Sequence, residues 1–403
     1  MVANPFLPQK LVGRQNELQQ VQQILEADGD LVIAGVPGSG RRTLIRWAAK
    51  GICARVIEID CLRATDYQRF LQLLAEGIMA AFDYPTERIF IERWSHDQPV
   101  ILEHSSNQRS QLVWHLSKGQ EWNLLQILLT LPQWMAEQLS CRVVVMFQNF
   151  PHIRSWDRSG KWEYHLCQEI EQQSRVSYAL IATSADAITQ RRNLQVVALP
   201  PLKDEEIAEW IQESMAAEGF TFDAETQALA TFLNYVQGNF GSAIALARRI
   251  WLDHHPSKQR QTTELDFPKD LATIIPNQPE PTDSIFFAST PKNHFLAYQD
   301  HFFLKVHHIH RSTLVLVEDL APTFESLILL LPPSQVRVLE SLALDPTDSP
   351  HSREYIQKHQ LSRGGGLQGA LASLEQKGLV YGSEYHYQIT MPLLAFWLKQ
   401  QLA

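Results

Sequence analysis

The sequence has 403 residues, of which 45% are hydrophobic and 20% charged, and its formal net charge is −9. A chain of this length can bury several cores, so we expect a globular protein of two or three units. The negative charge argues against a protein that mainly coats nucleic acid, because phosphate contacts provide most of that affinity. The chain lacks both a secretion signal and an apolar run long enough to span a membrane, so we predict a cytoplasmic protein without membrane insertion.

The cysteines and histidines indicate neither a disulfide framework nor a metal site. The segment KVHHIHR places His307 and His310 on one helical face, but no carboxylate or cysteine stands beside them. The cysteines form no CxxC pair, and we predict that they are buried thiols. They are Cys53, Cys61, Cys141 and Cys167.

Short apolar runs alternate with amphipathic helical patterns in residues 11–181. The runs GDLVIAG, ARVIEID, CRVVVMFQNF and VSYALIATS predict buried strands, and the segments between them predict helices. Strand, helix and strand in this order form a parallel, doubly wound sheet, which binds ligands beyond the carboxyl ends of its strands. The predicted fold class is therefore α/β.

The pattern changes after VVALPPL. We predict an α/β domain in residues 1–202, three helices without strands in 203–252, a linker or insertion of unassigned structure in 253–312, and a helix followed by a winged helix in 313–403. Three short helical patterns and the hairpin-like segment YGSEYHYQIT indicate the winged helix.

The segment VIAGVPGSGRRT lies between a predicted strand and a predicted helix and has the spacing of a phosphate-binding loop. Its glycines let backbone N–H groups approach phosphates at the positive end of the helix dipole. We therefore predict a P-loop NTPase fold with nucleotide contacts in this segment. The candidate residues are Gly35, Gly38, Ser39, Gly40, Arg41, Arg42 and Thr43.

The two residues after the last glycine depart from the pattern. A P-loop requires a lysine for the outer phosphates and then a Ser or Thr whose hydroxyl binds Mg²⁺. Arg41 keeps the positive charge on a longer, planar group, whereas Arg42 cannot ligate a cation. Thr43 offers a hydroxyl one residue late, about 100° further round the helix.

A second departure lies at the end of the strand RVVVMFQNF. An acidic pair usually stands there to support the metal and to activate water, but this chain has Gln148 and Asn149. An amide has the shape of a carboxyl group without its charge or basicity. We therefore predict no catalytic residue and a lost or impaired hydrolysis. We also predict that no protein side chain anchors Mg²⁺, while ATP or ADP could still bind.

Together these features resemble the STAND and archaeal-ATPase branch of the AAA-type P-loop proteins. The resemblance rests on LVGRQNELQQV, the glycine loop, VVVMFQNFPHI, the helical segment and the terminal winged helix, and it covers residues 11–251 and 324–402. It implies that Gly13, Arg14 and Glu17 of the GRxxEL box lie against the adenine. It also implies a γ-phosphate sensor at Thr183 or Ser184.

The resemblance further implies a molecular switch. In the family, nucleotide state alters how the α/β core, the helical lid and the winged helix pack, and partners assemble or leave accordingly. The lid normally carries a Gly-x-Pro element near the nucleotide, where this chain has GNF at residues 238–240. We therefore predict a pseudo-ATPase regulator or scaffold with protein partners, with a homo-oligomer as one form of assembly.

Two other functions remain open. One is a slow ATPase switch that uses Arg41 and Thr43 in altered roles. The other is an origin-recognition-like or transcriptional DNA-binding protein, since a winged helix can place its third helix in the major groove. Residues 331–403 contain six Lys or Arg and six Asp or Glu and so have no net charge, which makes DNA the less favoured partner.

Overall fold

The structure of this protein is a computed structural model. It describes residues 4–104, 110–115, 119–184, 194–254, 302–362, 364–382 and 386–402.

Five parallel strands form the main sheet, in the order β2-β5-β6-β1-β7. The strands along the chain are β1 (Leu31–Gly35), β2 (Arg55–Asp60), β3 (Ile101–His104), β4 (Ser110–Val113), β5 (Val143–Gln148), β6 (Val176–Ala182), β7 (Gln195–Leu199), β8 (Phe220–Phe222) and β9 (Phe302–Leu304). Strands β1 and β6 are buried along their whole length, as expected for a parallel sheet that is covered on both faces. The predicted parallel sheet is confirmed.

Helices cover both faces of this sheet and make up most of the other described elements. They are α1 (Gln15–Glu26), α2 (Arg41–Gly51), α3 (Tyr67–Ala81), α4 (Pro85–Ser95), α5 (Glu121–Leu139), α6 (Ile153–Trp156), α7 (Lys161–Gln172), α8 (Asp204–Ala217), α9 (Ala228–Val236), α10 (Phe240–His254), α11 (Val306–Leu329), α12 (Pro333–Leu344), α13 (Arg353–Lys358), α14 (Gly365–Gln376) and α15 (Pro392–Leu402).

Two hydrophobic cores sandwich the main sheet. Helices α1 and α2 pack on one face, and α3, α5 and α7 pack on the other. Along β1, Leu31 and Ile33 belong to the first core and Val32 to the second. Burial of one such side chain stabilises the fold by about 1.5–3 kcal/mol. The two cores hold the carboxyl end of β1, where the phosphate loop begins, in a fixed position.

The segment between α3 and β5 contains elements that the sequence analysis does not assign. Helix α4 begins at Pro85, whose missing N–H costs nothing in a first helical turn. Glu87 stabilises this turn because its Oε2 accepts a hydrogen bond from the Tyr84 N–H at 3.2 Å. Strands β3 and β4 follow as an antiparallel hairpin.

The segment after the sheet forms a helical unit of α8, α9 and α10, as predicted, but it also contains a strand. Strand β8 pairs in parallel with β9, so the prediction of helices without strands is wrong for Phe220–Phe222. The strand could not be predicted from local sequence because its partner β9 lies about eighty residues further along the chain. Three residues flanked by helices show too little alternation to be recognised from sequence.

The C-terminal unit, residues 306–402, has α11 followed by the predicted winged helix, which is confirmed. Helices α12, α13 and α14 precede a short wing, in which the Tyr381 N–H donates to Gln388 O at 2.9 Å and the Thr390 N–H donates to Leu379 O at 3.0 Å. Residues 383–385, at the tip of the predicted hairpin, lie outside the described residues.

The helical unit and the C-terminal unit share one hydrophobic core. This core joins α8, α9 and α10 to α11, α12, α14 and α15, so the two units pack as one body on the described residues. Helix α11 crosses the predicted domain limit between residues 312 and 313, and both Ser312 and Thr313 are buried within it. The four domain ranges remain predictions. Most of the predicted insertion, residues 255–301, lies outside the described residues.

Asp30 lies at the amino end of the main sheet, opposite the phosphate loop. Its Oδ1 accepts a hydrogen bond from the Tyr178 N–H at 2.8 Å. Burial raises the pKa of Asp30 to about 6, which outweighs the lowering effect of that hydrogen bond, and the charge of Glu171 adds to the rise. The folded state therefore binds the proton more tightly than the unfolded chain, and stability falls as pH rises through about 6.

Asp30→Asn keeps the acceptor oxygen but removes the titrating group. We predict that it increases the free energy of unfolding at about pH 8 by about 2 kcal/mol. We also predict that the free energy of unfolding falls less steeply in the variant as pH rises from about 4 to about 6. Urea unfolding across this range measures both effects. Asp28→Asn is the matched control, because the Asp28 side chain is 42% exposed and its ion pair with Arg142 spans 3.7 Å. An unchanged pH dependence in Asp30→Asn would contradict the account.

Candidate functional site

The phosphate loop, residues 35–43, joins β1 to α2. Gly38 and Gly40 have φ angles of 87° and 90°, in the left-handed region that favours glycine. Gly40 is the N-cap of α2, no side chain caps this helix end, and a Cβ at Gly40 would meet nothing within 4 Å. The first N–H groups of α2 therefore face open space, which is the arrangement that binds an anion.

A cavity of about 190 Å³ lies in front of this helix end. Its volume suits a phosphate group better than a whole nucleotide, since sites for drug-sized ligands enclose roughly 300–1,000 Å³. The structure thus brings the loop and the predicted amide pair together. The lining residues are Gly38, Gly40, Arg41, Arg42, Thr43, Gln148, Asn149 and Ile181.

Ser39 and Gly35 complete the predicted loop but do not line the cavity. Gly35 ends β1, and a Cβ there would lie 2.9 Å from Ser39 Oγ. Ser39 is only 6% exposed, and its Oγ has no hydrogen-bond partner among the described residues. A buried hydroxyl without a partner is costly, and such an atom in a phosphate loop is one that a bound phosphate could satisfy.

Arg41 is a partly buried cation at the wall of the cavity. Its Nη1 donates a hydrogen bond to Ala182 O at 2.8 Å, and no ion pair of Arg41 is found among the described residues. Burial lowers the pKa of Arg41 to about 10, so the guanidinium stays charged at neutral pH. A buried charge without a counter-ion favours the binding of an anion.

Arg42 is held by a carboxylate that the sequence analysis did not single out. Glu58 on β2 accepts hydrogen bonds from Arg42 Nε at 2.9 Å and from Arg46 Nε at 2.5 Å. Burial opposes the ionisation of Glu58, but the hydrogen bonds and charges of Arg46 and Arg42 outweigh it and hold its pKa below the usual value. Glu58 is therefore an ionised partner of two arginines.

The amide pair on β5 is also bound to carboxylates of β2. Gln148 Nε2 donates to Glu58 Oε2 at 3.0 Å, and Asn149 Nδ2 donates to Asp60 Oδ1 at 3.0 Å. Strands β2 and β5 are parallel neighbours, with Asp60 opposite Gln148. The site therefore contains carboxylates, but they lie on the adjacent strand and each accepts N–H groups.

The described residues do not fit a protein-anchored Mg²⁺. This ion requires oxygen ligands in a near-octahedral arrangement, yet the cation Arg42 stands where the ligating hydroxyl is expected. No group of three or more His, Cys, Asp or Glu residues among those described could hold a metal ion. The loop fits phosphate, and the surrounding side chains do not fit its usual metal.

The predicted sensor residue Thr183 lies against the C-terminal unit. Its Oγ1 donates a hydrogen bond to Gln376 O, at the end of α14, at 2.8 Å. A Cβ added at Gly378 would lie 2.6 Å from Thr183 Cγ2, so the Gly378 backbone packs closely against the Thr183 side chain. Ser184 follows Thr183 at the end of β6 and does not line the cavity. The Thr183 hydroxyl is thus bound to the C-terminal unit in this arrangement.

The predicted adenine-side residues lie beside the connection from β7 to α8. Arg14 is buried, forms an ion pair with Glu17 at 3.0 Å and donates a hydrogen bond from Nη2 to Pro200 O. A Cβ at Gly13 would lie 2.7 Å from Leu202 Cδ2. This close packing explains why residue 13 is a glycine. The contact of these residues with adenine stays a prediction.

Asn239, between α9 and α10, joins the phosphate loop to both other units. Its Nδ2 donates hydrogen bonds to Pro37 O at 3.0 Å and to Thr390 O at 3.1 Å. Its Oδ1 accepts a hydrogen bond from the Ser242 N–H at 2.9 Å. Asn239 is 5% exposed, so all three bonds are shielded from water. The sequence analysis noted Asn239 only as part of the GNF element.

Two glycines allow this close approach. A Cβ at Gly238 would lie 2.6 Å from Pro201 Cβ, and a Cβ at Gly241 would lie 3.0 Å from Gly38 Cα. The Gly241 N–H also donates to Gly38 O at 3.0 Å. The helical unit therefore contacts the backbone of the phosphate loop directly.

Comparison with known families gives one match at each end of the chain. Residues 10–147 match the family described as "AAA ATPase domain". Residues 322–400 match the family described as "Probable winged helix domain". The chain is therefore similar to an AAA ATPase domain in its first part and to a winged-helix domain in its last part. The curated proteins give no match to the sequence.

Solved structures are similar over almost the whole chain. A Walker-type ATPase of Pyrococcus abyssi matches 99% of this chain and 99% of its own, with a TM-score of 0.63 and 13% identity. The ORC1 protein of Aeropyrum pernix in complex with DNA matches 99% and 96%, with a TM-score of 0.47 and 13% identity. A Pyrococcus horikoshii STAND protein with a tetratricopeptide repeat sensor matches 99% and 44%, with a TM-score of 0.37 and 13% identity. The first similarity shows the fold.

Within the winged-helix domain, the third helix α14 contacts both the shared core and the α/β domain. Its apolar side, with Leu367, Leu371 and Leu374, is buried in the shared core, and its C-terminal end contacts the sensor position. Lys377 donates from Nζ to Gln335 Oε1 at 2.6 Å. Arg363, just before the helix, lies outside the described residues.

No helix in the described part of the chain is long and apolar enough to cross a membrane.

We predict that Asn239→Asp loosens the AAA domain from the winged-helix domain. The carboxylate can still accept the Ser242 N–H, but it cannot donate to Pro37 O or Thr390 O and would repel both oxygens. Loss of two buried hydrogen bonds costs about 2–4 kcal/mol. Guanidinium unfolding measures this loss, and small-angle X-ray scattering measures the expected increase in radius of gyration.

Asn234→Asp is the matched control, because it makes the same chemical change at an exposed position of α9. We expect it to leave both measurements within the range of ordinary surface substitutions, about 0.5 kcal/mol. Equal effects of the two substitutions would contradict the role assigned to Asn239.

Proposed function

We propose that this protein is a nucleotide-binding regulator or scaffold of the AAA/STAND type that has lost most or all hydrolysis and acts through protein–protein interactions. The observation that carries the proposal is the amide of Asn239, which hydrogen-bonds to the phosphate loop and to the winged-helix domain at once. A ligand that moves the loop would change both contacts.

Nucleotide binding is supported by three features of the loop. The N-terminus of α2 is open, Arg41 has no counter-ion among the described residues, and the Oγ of buried Ser39 has no partner among them. The helix N-terminus and Arg41 favour an anion in the cavity, and a phosphate chain is the anion that such a loop binds. Ser39 does not line the cavity, but its Oγ is an unused donor in the same loop. We propose ATP or ADP as the ligand, bound without a protein-anchored Mg²⁺.

Loss of hydrolysis is supported by the positions of three of the replaced groups. Arg42 pairs with Glu58, while Gln148 and Asn149 donate N–H groups to Glu58 and Asp60. An amide that donates to a carboxylate cannot act as a general base, and an arginine cannot ligate a metal. Without a base and a metal, the rate would fall by several powers of ten, at about 1.4 kcal/mol for each.

Protein partners are supported more than DNA. The winged-helix domain has no net charge. A DNA-bound form would need basic groups to replace counter-ions along the phosphates. We propose that the partner is a protein and that a homo-oligomer is one form of the assembly.

A slow ATPase is the second candidate, and one observation favours it. Carboxylates of Glu58 and Asp60 lie next to the amide pair, and Thr43 lines the cavity. If Arg42 and Asn149 moved away, these groups could support a weakly bound metal ion and water. The test of the proposed function must therefore include Mg²⁺.

We predict that ATP and ADP each bind at least as tightly in EDTA as in Mg²⁺, as measured by calorimetric titration, and that no phosphate is released from ATP. Arg41→Ala should weaken binding at least tenfold, because a charged hydrogen bond contributes about 1.5–3 kcal/mol. Arg63→Ala, on an exposed arginine that does not line the cavity, is the control and should bind as the wild type does.

Rapid Mg²⁺-dependent release of phosphate that Arg41→Ala abolishes would refute the loss of hydrolysis and would favour the second candidate. Absence of any nucleotide binding would refute the proposal itself.

A further inference from the structure

Arg42 lines the phosphate cavity and yet is paired with a carboxylate. Its Nη2 lies 2.6 Å from Glu58 Oε2, and its side chain is 51% exposed. An exposed ion pair contributes little to stability, typically below about 1 kcal/mol. Arg42 can therefore leave Glu58 at small cost when a stronger partner enters the cavity.

Glu58 keeps its other partners when Arg42 leaves. The guanidinium of Arg46 holds both carboxylate oxygens, with Nε at 2.5 Å from Oε1 and Nη2 at 2.9 Å from Oε2. Gln148 Nε2 donates to Oε2 at 3.0 Å. Arg42 adds two contacts to an oxygen that already has two donors. Its departure leaves no buried charge unpaired.

We propose that Arg42 exchanges Glu58 for a phosphate of the bound nucleotide, so that it supplies the positive charge that Mg²⁺ supplies in an unmodified site. This inference rests on the proposed nucleotide binding and names the ligand class more narrowly, as a nucleoside di- or triphosphate taken without its metal ion. Glu58 then acts as a positioning residue, because it holds Arg42 at the cavity while the site is empty and competes with the ligand for it.

The geometry of arginine suits this exchange. A planar guanidinium can donate two parallel hydrogen bonds to a phosphate as well as to a carboxylate, whereas a lysine is a point charge. Arg42 lies in the first turn of α2, where the helix dipole also favours the phosphate. Arg41 and Arg42 together provide two positive charges beside the cavity, whereas a lysine and Mg²⁺ provide three.

A double-mutant cycle on ADP binding in EDTA tests the exchange. The proteins are the wild type, Arg42→Gln, Glu58→Gln and the double variant, each checked for folding by its thermal unfolding curve. We expect Arg42→Gln to weaken ADP binding about tenfold. Glu58→Gln should tighten binding several-fold when Arg42 is present and much less in the Arg42→Gln background.

Asp60→Asn is the matched control for the loss of a negative charge. Asp60 lies on the same strand, but its partners are the Asn149 amide and the Leu62 N–H rather than Arg42. We expect Asp60→Asn to change ADP binding by the same factor with and without Arg42.

Equal effects of Glu58→Gln in both backgrounds, or wild-type affinity in Arg42→Gln, would overturn the exchange while leaving nucleotide binding intact. If Glu58→Gln fails to fold, Arg42→Gln alone decides, since Arg42 is exposed and its removal leaves Glu58 paired with Arg46. Failure of the wild type to bind ADP would overturn the proposed function together with the exchange.

Discussion

The side-chain amide of Asn239 is the contact on which the relation between the three parts of this protein depends. It is buried, and it makes one hydrogen bond to each of the three neighbouring segments, at Pro37, Ser242 and Thr390. Only an amide has two donor hydrogens and an acceptor in this arrangement. The glycines at positions 38, 238 and 241 allow the backbones to approach closely around it, because a Cβ there would collide with its neighbours. The phosphate loop cannot move away from the helical unit without breaking the hydrogen bonds from Asn239 to Pro37 O and from Gly241 to Gly38 O.

The site itself is governed by the neutralisation of charges between two strands and one helix. In an unmodified P-loop site, acidic residues and a hydroxyl gather around a cation. In this chain the cations are arginines of the loop, and the acids are Glu58 and Asp60 on the neighbouring strand. Gln148 and Asn149 link the acids to the cavity wall. Arg42, Gln148 and Asn149 thus have carboxylate partners without a metal ion, whereas Arg41 has no counter-ion among the described residues.

Much of this could be predicted from local sequence, and the rest depends on contacts between distant segments. The strands, the glycine loop and the amide pair follow from apolar periodicity and spacing. Glu58 was missed because ARVIEID reads as an ordinary strand, and its role depends on β2 pairing with β5, eighty-odd residues away. Asn239 was missed as a junction because its partners Pro37 and Thr390 come from opposite ends of the chain. Strand β8 is too short to show a period.

The most direct test of the account is hydrogen–deuterium exchange of the wild-type protein with and without ADP. The account predicts that protection changes together in three segments, residues 36–43, 237–242 and 386–391, because Asn239 links them. A change confined to residues 36–43, with the other two segments unaffected at saturating ADP, would contradict it.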